Sequence, residues 1–288
     1  MRVIAPAEIT AIVNVGDDLV LHGLHVSPDL DTVTYTVAGA IDRDRGWGLA
    51  GETWQAMEAL RRYPQATTWF NLGDRDLATH LYRTDRLRAG APLSAVTAEI
   101  TAAWGLSCTV LPASDDEVRT RVTVPDGEID FQEYFVHRKH DVAVSSVRFD
   151  GADAASPAPG VLDALTNAER LVIAPSNPIV SIAPVLAIPG IRAAVEERRA
   201  RCVAVSPIVA GAALKGPADR LLRELGHDSS VVGIARLYAP LAATLVVDEA
   251  DGDRAREVEA EGMRCVVAPT IMRDPDAAAA LARTVLAA

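Results

Sequence analysis

Four aspartates in one short stretch of the chain have the spacing expected of a site that holds a cation. Asp17 and Asp18 follow the apolar run 9–13, and Asp29 and Asp31 come soon after them. The run is β-branched, uncharged and ended by a Gly-Asp turn, which predicts a short buried strand. Ligands of open parallel sheets bind at the carboxyl ends of strands, so we expect these carboxylates to lie at a binding site.

These carboxylates need a partner if the fold brings them together, because like charges repel unless a cation or raised pKa values relieve them. A hard divalent ion such as Mg2+ is the simplest partner, since it binds one or two carboxylates together with substrate phosphates. The alternative is that both acidic pairs are solvated, with Gly16-Asp17 in a turn and Pro28-Asp29 at the start of a helix.

The charge of the chain limits the kinds of partner. Its 288 residues contain 28 Lys and Arg against 39 Asp and Glu, which gives a net charge of −11 with no basic tract to offset it. This balance argues against non-specific binding to nucleic acid and to anionic membranes. A phosphorylated ligand would therefore need a bound cation or a local basic pocket.

The cysteines and the apolar segments indicate the compartment. The three cysteines are far apart and lack CxxC or zinc spacing, which indicates free thiols in a reducing compartment. They are Cys108, Cys202 and Cys265. Prolines interrupt the uncharged stretch 171–191, which excludes one continuous membrane helix. Because the N-terminus also lacks the apolar part of a signal peptide, we expect a cytoplasmic protein without a membrane span.

The chain is predicted to form one α/β domain over residues 1–288. After residue 160, apolar runs alternate with helix-like segments, a pattern typical of a parallel sheet covered by helices on both faces. The predicted strands there are 171–174, 202–205, 244–247 and 265–267. The middle of the chain instead predicts helices and then antiparallel strands at 119–124, 129–136 and 142–149. We therefore expect a core of about 1–40 and 160–288 with an inserted helical and antiparallel annex of about 41–159.

Two segments of the predicted annex offer side chains for a flat or an anionic ligand. Trp47 lies in a Gly-flanked loop, where its ring either stacks on a flat ligand or covers the core. Asp74 is the predicted N-cap of a helix whose first turn holds Arg75 and Asp76 and whose freed N–H groups can meet an anion. His80 lies four residues after Asp76 on the same helix face. The alternative is a surface ion-pair cluster.

Two strand ends in the second half of the chain leave the sheet through serine and proline. Ser176 and Asn177 follow the first strand, and an Asn amide suits a base edge because it both donates and accepts hydrogen bonds. Lys215 follows the second, between Gly211 and Gly216, where it could reach a phosphate. Each alone is equally explained as a turn. The chain carries no Walker loop, GxGxxG fingerprint or Gly-x-Ser-x-Gly elbow.

Taken in chain order, these segments resemble the CofD family, the 2-phospho-L-lactate (or phosphoenolpyruvyl) transferases of coenzyme F-420 biosynthesis. The segments that carry the resemblance are Asn-Val-Gly-Asp-Asp at 14–18, Ser-Pro-Asp-Leu-Asp-Thr at 27–32, Leu-Gly-Asp-Arg-Asp-Leu-Ala-Thr-His at 72–80, Leu-Pro-Ala-Ser-Asp-Asp at 111–116, Phe-Gln at 131–132, Ala-Pro-Ser-Asn-Pro-Ile at 174–179, Ser-Pro-Ile at 206–208 and Lys-Gly-Pro at 215–217. The resemblance covers almost the whole chain, and the Ala- and Arg-rich composition is compatible with an actinobacterial member.

The resemblance implies a Rossmann-like core, a homodimer and a Mg2+-dependent transfer. The donor would be a guanosine-diphosphate-linked C3 acid such as lactate or enolpyruvate, and the acceptor 7,8-didemethyl-8-hydroxy-5-deazariboflavin. The terminal ribityl hydroxyl of this deazaflavin would attack the phosphorus that bears the C3 acid and release GMP. Phosphoryl transfer depends on positioning and charge neutralisation, which a metal and carboxylates supply.

The resemblance also assigns roles to residues. Asp17 and Asp31 are assigned to the catalytic step, and Asp18 and Asp31 to Mg2+, with Asp17 or Asp29 supporting or polarising the acceptor hydroxyl. The acceptor ring is expected near Trp47, Asn71 and residues 74–76, and the donor near Ser176, Asn177 and Lys215. The complete set assigned to substrates is Asp29, Trp47, Asn71, Asp74, Arg75, Asp76, His80, Ser176, Asn177, Pro178 and Lys215.

The sequence departs from the family pattern in one feature, and two other functions compete with the transferase. Family members usually begin with a strand and a Gly-Gly-x-Gly-Gly-x-Lys loop that cradles the donor diphosphate, and this sequence does not show that loop. We therefore expect weak stability and low activity. The first rival is a non-catalytic nucleotide-sugar-binding regulator of the YvcK type, against which segment 73–80 argues. The second, an unrelated Mg2+-dependent nucleotidyltransferase, would need a basic triphosphate pocket that the sequence does not show.

Overall fold

The computed structural model of the protein describes residues 3–288 and contains two parallel and three antiparallel sheets. Its strands are β1 (Thr10–Val13), β2 (Leu19–Leu21), β3 (Leu24–Val26), β4 (Thr109–Pro112), β5 (Arg119–Val124), β6 (Gly127–Asp130), β7 (Ser146–Asp150), β8 (Leu171–Ile173), β9 (Cys202–Val205), β10 (Ile208–Val209), β11 (Ala212–Ala213), β12 (Thr244–Val247) and β13 (Arg264–Val267). Its α-helices are α1 (Pro28–Val37), α2 (Gln55–Leu60), α3 (Asp76–Arg88), α4 (Leu93–Ala103), α5 (Val161–Asn167), α6 (Ala183–Ala187), α7 (Ile191–Glu197), α8 (Ala218–Glu224), α9 (Val231–Tyr238), α10 (Ala255–Ala260) and α11 (Pro275–Ala287).

The larger parallel sheet has the strand order β13-β12-β9-β8. Its central strands β9 and β12 are buried along their whole length. Alternate side chains enter different clusters, with Val203 and Val246 packed with Leu281 of α11, and Ala204 in the main core with Ile234 of α9. Apolar strands of this kind need helices on both faces, and the α/β class predicted from the sequence is confirmed.

The smaller parallel sheet joins the two strands that are followed by acidic loops. Strand β1 pairs with β4 from Thr10 opposite Thr109 to Val13 opposite Pro112. Among residues 3–288, this pair makes no strand hydrogen bonds with the four-stranded sheet, although Val13 packs in the same core as Ala204. Parallel pairing places the carboxyl ends of β1 and β4 side by side, so both acidic loops lie at one edge.

The carboxylates of the acidic loop after β4 accept hydrogen bonds from neighbouring parts of the fold. The Asp115 carboxylate accepts hydrogen bonds from the backbone N–H of Ser94 at 2.6 Å and from its hydroxyl at 2.8 Å, at the start of α4. The Asp116 carboxylate accepts one from the backbone N–H of Ser156 at 2.8 Å. These contacts satisfy the free N–H groups at a helix start, so this loop fixes α4 and a crossing segment.

The antiparallel parts differ from the prediction in several places. The β10–β11 pair was not predicted, and β7 begins at Ser146 instead of residue 142. Strands β2 and β3 form a hairpin that the sequence did not predict, with His22 and Gly23 both at positive φ in its two-residue turn. The hairpin of β5 and β6 is confirmed, but β6 ends at Asp130 instead of continuing to residue 136. The chain forms a π-helical turn at Glu133–His137, because Tyr134 turns inward to pack with the apolar face of β5.

Residues 3–288 contain no single helix that is both long and apolar enough to cross a bilayer. Pro178–Ala187 and Ile191–Glu197 meet those criteria only when joined across a 98° bend.

The division into a core and an inserted annex stays a prediction.

Candidate active site

The turn after β1 places two aspartates in the interior. The Asn14 side-chain oxygen accepts a hydrogen bond from the backbone N–H of Gly16 at 2.8 Å, which closes the turn. A Cβ at Gly16 would lie only 2.7 Å from the Thr120 hydroxyl oxygen, so only glycine lets β5 approach this closely. The turn leaves Asp17 5% and Asp18 3% exposed.

Hydrogen bonds from the following hairpin and from α1 hold the acidic side chains. The Ser27 hydroxyl donates to Asp18 Oδ2 at 2.7 Å, and His25 Nε2 lies 3.0 Å from the same oxygen. The Asn14 amide donates to Asp29 Oδ2 at 3.0 Å. Asn14 therefore joins the turn after β1 to the first turn of α1.

Burial and mutual repulsion shift the pKa values of these carboxyls. Burial, and then the charge of Asp29, raises the pKa of Asp17 well above its ordinary value. Burial also raises the pKa of Asp29 to about 6, although the Asn14 hydrogen bond opposes the rise. One oxygen each of Asp17 and Asp18 is buried without a hydrogen-bond partner among the described residues. Unpartnered carboxylate oxygens on two consecutive residues fit a hard divalent cation.

Asp31 belongs to a second polar cluster, between α1 and α3. The Arg83 guanidinium engages both Asp31 oxygens, one of them at 3.1 Å from Nη1. His80 Nδ1 lies 3.7 Å from Asp31, and its Nε2 lies 3.4 Å from Asp76. The Tyr35 hydroxyl donates to Asp76. Although burial opposes it, the Asp31 carboxylate raises the pKa of Arg83, so the guanidinium stays charged.

A cavity of about 400 Å³ lies between these clusters, and many of the predicted site residues line it. The predicted site residues that line it are Asp17, Asp29, Asp31, Trp47, Asn71, Asp76 and His80. Its aromatic lining residues are Tyr35, Trp47, Trp69, Phe70, Phe131 and Phe135. Aromatic walls and several carboxylates in one cavity suit a flat ring that carries a polar chain.

A second cavity of about 380 Å³ lies beside the first and contains Asp18. Asp17, Trp69, Phe131 and Gln132 line both cavities and so form the partition between them. The Gln132 amide donates to the backbone carbonyl of Asp17 at 3.1 Å, which fixes this partition against the acidic turn. Asp17 therefore contacts both cavities.

Trp47 does not cover the core, the alternative left open by the sequence. Its side chain is 43% exposed and lines the first cavity. The Arg45 guanidinium lies over the Trp47 ring at 5.4 Å and over the Trp54 ring at 5.3 Å. Such cation–π contacts hold the loop in shape while one face of the indole can meet a ligand.

Asp74 and Arg75 have a structural position that differs from the prediction. The N-cap of α3 is Arg75, and the Asp74 carboxylate instead accepts hydrogen bonds at the start of α2, from the backbone N–H of Gln55 at 2.9 Å and of Ala56 at 3.0 Å. Glu52 accepts from the N–H groups of Arg75 and Asp76 at the start of α3. The expectation of a free anion-binding helix start is therefore wrong, since Glu52 occupies it.

The residues expected to face the donor flank the first cavity without lining it. Asn177 caps the π-helical turn Pro178–Ile182 by accepting from the N–H groups of Ile179 and Val180. The Asn14 amide lies 3.4 Å from the Val180 carbonyl, which connects this turn to the acidic loop. Lys215 Nζ lies 3.2 Å from the position of a Cβ on Gly46, beside Trp47. Of Ser176 the structure shows a backbone hydrogen bond to Ala174. Their assignment to the donor stays a prediction, as does that of Asp74 and Arg75 to substrate.

Three site residues were not singled out for a role from the sequence. Asn14 and Gln132 lie inside segments that carry the family resemblance, and that was their only signal. Arg83 lies three residues after His80, on the same face of α3. Nothing in the local sequence distinguishes this buried arginine from an exposed one.

Comparison with known proteins identifies the family. The family model described as 2-phospho-L-lactate transferase CofD matches residues 2–280. A protein named phosphoenolpyruvate transferase from Streptomyces griseus is 48% identical over 285 residues, covering 97% of this chain and 90% of that protein. Its namesakes from Nocardia farcinica and Mycolicibacterium smegmatis are each 44% identical, covering 97% and 96% of this chain and 86% of each of those proteins.

The fold is also found among solved structures. A UPF0052 family member from Bacillus halodurans matches with a TM-score of 0.61 at 15% identity, covering 98% of this chain and 94% of that one. At this identity the likeness concerns the fold alone. The sequence matches carry the assignment: this chain belongs to the CofD family of 2-phospho-L-lactate transferases and is a transferase.

Proposed function

We propose that the protein transfers a phospho-C3-acid group, phospholactyl or phosphoenolpyruvyl, to the ribityl hydroxyl of 7,8-didemethyl-8-hydroxy-5-deazariboflavin in coenzyme F-420 biosynthesis. The donor is a guanosine-diphosphate-linked C3 acid, and GMP is released. The observation that carries the proposal is the first cavity, with its aromatic walls and with Asp17, Asp29 and Asp31 in its lining. The relatives named phosphoenolpyruvate transferase support the C3 acid.

The carboxyls provide the proton transfer that this reaction needs. A bond forms between the ribityl oxygen and the phosphorus that bears the C3 acid, and the bond from that phosphorus to the GMP oxygen breaks. The hydroxyl proton passes to Asp17 or Asp29. A carboxyl whose pKa is raised to about 6, as that of Asp29 is, is a stronger base than an ordinary one at neutral pH.

The acidic turn supplies the most suitable place for Mg2+. The family resemblance assigned the ion to Asp18 and Asp31. The unpartnered oxygens of Asp17 and Asp18 favour Asp18 with Asp17, because Arg83 already engages both oxygens of Asp31. Bound there, Mg2+ would neutralise charge on the transferred phosphoryl group.

The remaining contacts position the two substrates. The ring lies between Trp47 and the aromatic wall that includes Trp69 and Phe131, with its ribityl chain directed at Asp17 and Asp29. The guanylyl part lies toward Asn177 and Lys215, outside the cavity. The cytoplasmic location and the homodimer stay predictions, and sedimentation at several protein concentrations would test the dimer.

Equilibrium binding tests the assignment of the ring cavity. In titration calorimetry we expect the deazaflavin to bind with one molecule per chain and a UDP-sugar to give no heat of binding. The reverse result would support the nucleotide-sugar-binding regulator and contradict the transferase proposal. Each guanylylated C3-acid donor, titrated afterwards, would identify which acid is preferred.

A further inference from the structure

The guanidinium of Arg83 lies at the centre of the cluster between α1 and α3. The side chain comes from the third turn of α3 and is only 1% exposed. It engages both oxygens of Asp31, lies 3.3 Å from His80 Nδ1 and 3.4 Å from the carbonyl of His25. One buried cation therefore joins three elements: β3, α1 and α3.

The groups around Arg83 have the composition of a metal site. One ligand atom each from Asp31, Asp76 and His80 lies within 4.8 Å of the other two. Two carboxylates and an imidazole are a donor set that divalent transition metals bind well. Buried carboxylates also need a positive partner, since an unpaired buried charge is costly.

Arg83 already supplies that positive charge. Its two terminal nitrogens donate to the two oxygens of the Asp31 carboxylate. Unlike a bound metal ion, a guanidinium cannot dissociate from the chain, and it keeps its proton near neutral pH. Asp76 accepts a hydrogen bond from the Tyr35 hydroxyl, and His80 Nε2 lies 3.4 Å from it. Both carboxylates of the cluster therefore have partners without an ion, whereas one oxygen each of Asp17 and Asp18 has none among residues 3–288. Within the cluster the atoms without a hydrogen-bond partner in this part of the chain are two nitrogens, His80 Nε2 and Arg83 Nε.

We infer that Arg83 is a positioning residue that acts as the built-in cation of the Asp31–Asp76–His80 cluster and keeps divalent ions out of it. Many phosphoryl-transfer sites use two metal ions about 3.5–4 Å apart. Here one of the two positive charges belongs to the chain itself, and at most one exchangeable ion binds, at the acidic turn. The identity of the ion at the acidic turn rests on the proposed function. The exclusion of divalent ions from the Arg83 cluster does not.

Cobalt titration of untagged protein tests this inference without any substrate. Co2+ reports histidine ligation through its visible absorption bands, and calorimetry gives the number of ions bound. We expect Arg83→Met to bind one Co2+ more per chain than the wild type, with new visible bands. Those bands and that extra ion should vanish in Arg83→Met combined with His80→Ala. Arg83→Lys keeps a cation in place and should bind as many ions as the wild type.

Two results would overturn the inference. The first is a folded Arg83→Met variant, checked by circular dichroism, that gains no Co2+. The second needs no change at Arg83: if wild-type protein loses one bound Co2+ on His80→Ala, the cluster already accepts metal. Because the second comparison leaves Arg83 in place, the inference can be contradicted even if Arg83→Met does not fold.

Discussion

Glu52 and Asp74 each cap the helix that follows the other. The Asp74 carboxylate accepts N–H groups at the start of α2, and the Glu52 carboxylate accepts those at the start of α3. A Cβ on Gly73 would overlap the Glu52 side chain, so the exchange also needs glycine at 73. This exchange fastens the Trp47 loop to α3, at the mouth of the first cavity.

Removing either cap should therefore loosen the cavity as well as the fold. Glu52→Ala and Asp74→Ala should each lower the free energy of unfolding by about 1 kcal/mol, the usual cost of a lost cap. Each should also raise the KM for the deazaflavin more than it lowers kcat. Denaturant melts and steady-state kinetics measure both effects. Glu58→Ala, on the exposed face of α2, is the control, and a control variant that behaves like the other two would contradict this role.

Gly16 should tolerate no side chain. Gly16→Ala places a Cβ 2.7 Å from the Thr120 hydroxyl oxygen and 3.1 Å from Asn14 Oδ1, so we expect a loss of about 1–3 kcal/mol in unfolding free energy. Adding Thr120→Ala should recover part of the loss, because it removes the nearest atom. Thermal melts of the wild type and of these two variants measure this, and a Gly16→Ala protein as stable as wild type would refute the close approach.

Stability should depend on pH through Asp29. Its pKa is about 6 in the folded protein against an ordinary 3.8, so the folded chain holds this proton more tightly than the unfolded chain. The contribution to stability is therefore full below about pH 4, is lost as the pH rises through about 6, and is on the order of 2 to 3 kcal/mol. Asp29→Asn should flatten this fall and raise stability at neutral pH. Melts across this pH range test it, with exposed Asp253→Asn as the control; an unchanged slope in Asp29→Asn would exclude Asp29 as its source.

Mg2+ should stabilise the protein through the acidic turn. A ligand that binds only the folded state raises the unfolding free energy by RT ln(1 + L/Kd), where L is the free ligand concentration, so the Tm rises with that concentration. We expect Mg2+ to raise the Tm of the wild type, and Asp18→Asn to remove most of that rise while leaving the fold intact. Asp31→Asn is the informative comparison: a complete loss of the Mg2+ effect there, with Asp18→Asn unaffected, would move the ion to the other cluster.

Much of the fold could be predicted because its strands are buried on both faces. Strands β9 and β12 begin and end at the predicted residues, since continuous apolar runs bounded by polar ones are unambiguous. The β2–β3 hairpin was missed because its turn, His22-Gly23, is not one of the sequence pairs that announce a hairpin. Strand β6 was predicted too long because the residues of the π-helical turn continue its alternation.

The site could be predicted only in part, for a physical reason. Asp17 was found because it follows a strand that the sequence reveals, and Asp29 because it comes soon after in the same acidic stretch. The roles of Asp74 and Arg83 depend on partners far along the chain, Glu52 in one case and Asp31 in the other, which no local pattern connects. Tertiary hydrogen bonds of this kind decide whether a charged side chain binds a ligand or completes the fold.

Trp47 should report occupation of the first cavity. Trp47→Ala removes an exposed ring on which the deazaflavin can stack. We therefore expect about a five- to tenfold rise in the Kd of the deazaflavin, equivalent to about 1 kcal/mol. Trp47→Phe should retain most of the affinity. Calorimetry measures these values, with the exposed aromatic Tyr63→Ala as the control. An unchanged Kd in Trp47→Ala would place the ring elsewhere.

The most direct test of the proposed transfer is the mass of the product formed from the deazaflavin, Mg2+ and each guanylylated C3-acid donor in turn. We expect a new phosphodiester of the deazaflavin, release of one GMP for each product, and a loss of about a hundredfold or more in rate on Asp17→Asn. Deazaflavin that binds the cavity yet returns with its mass unchanged, with every donor, would contradict it.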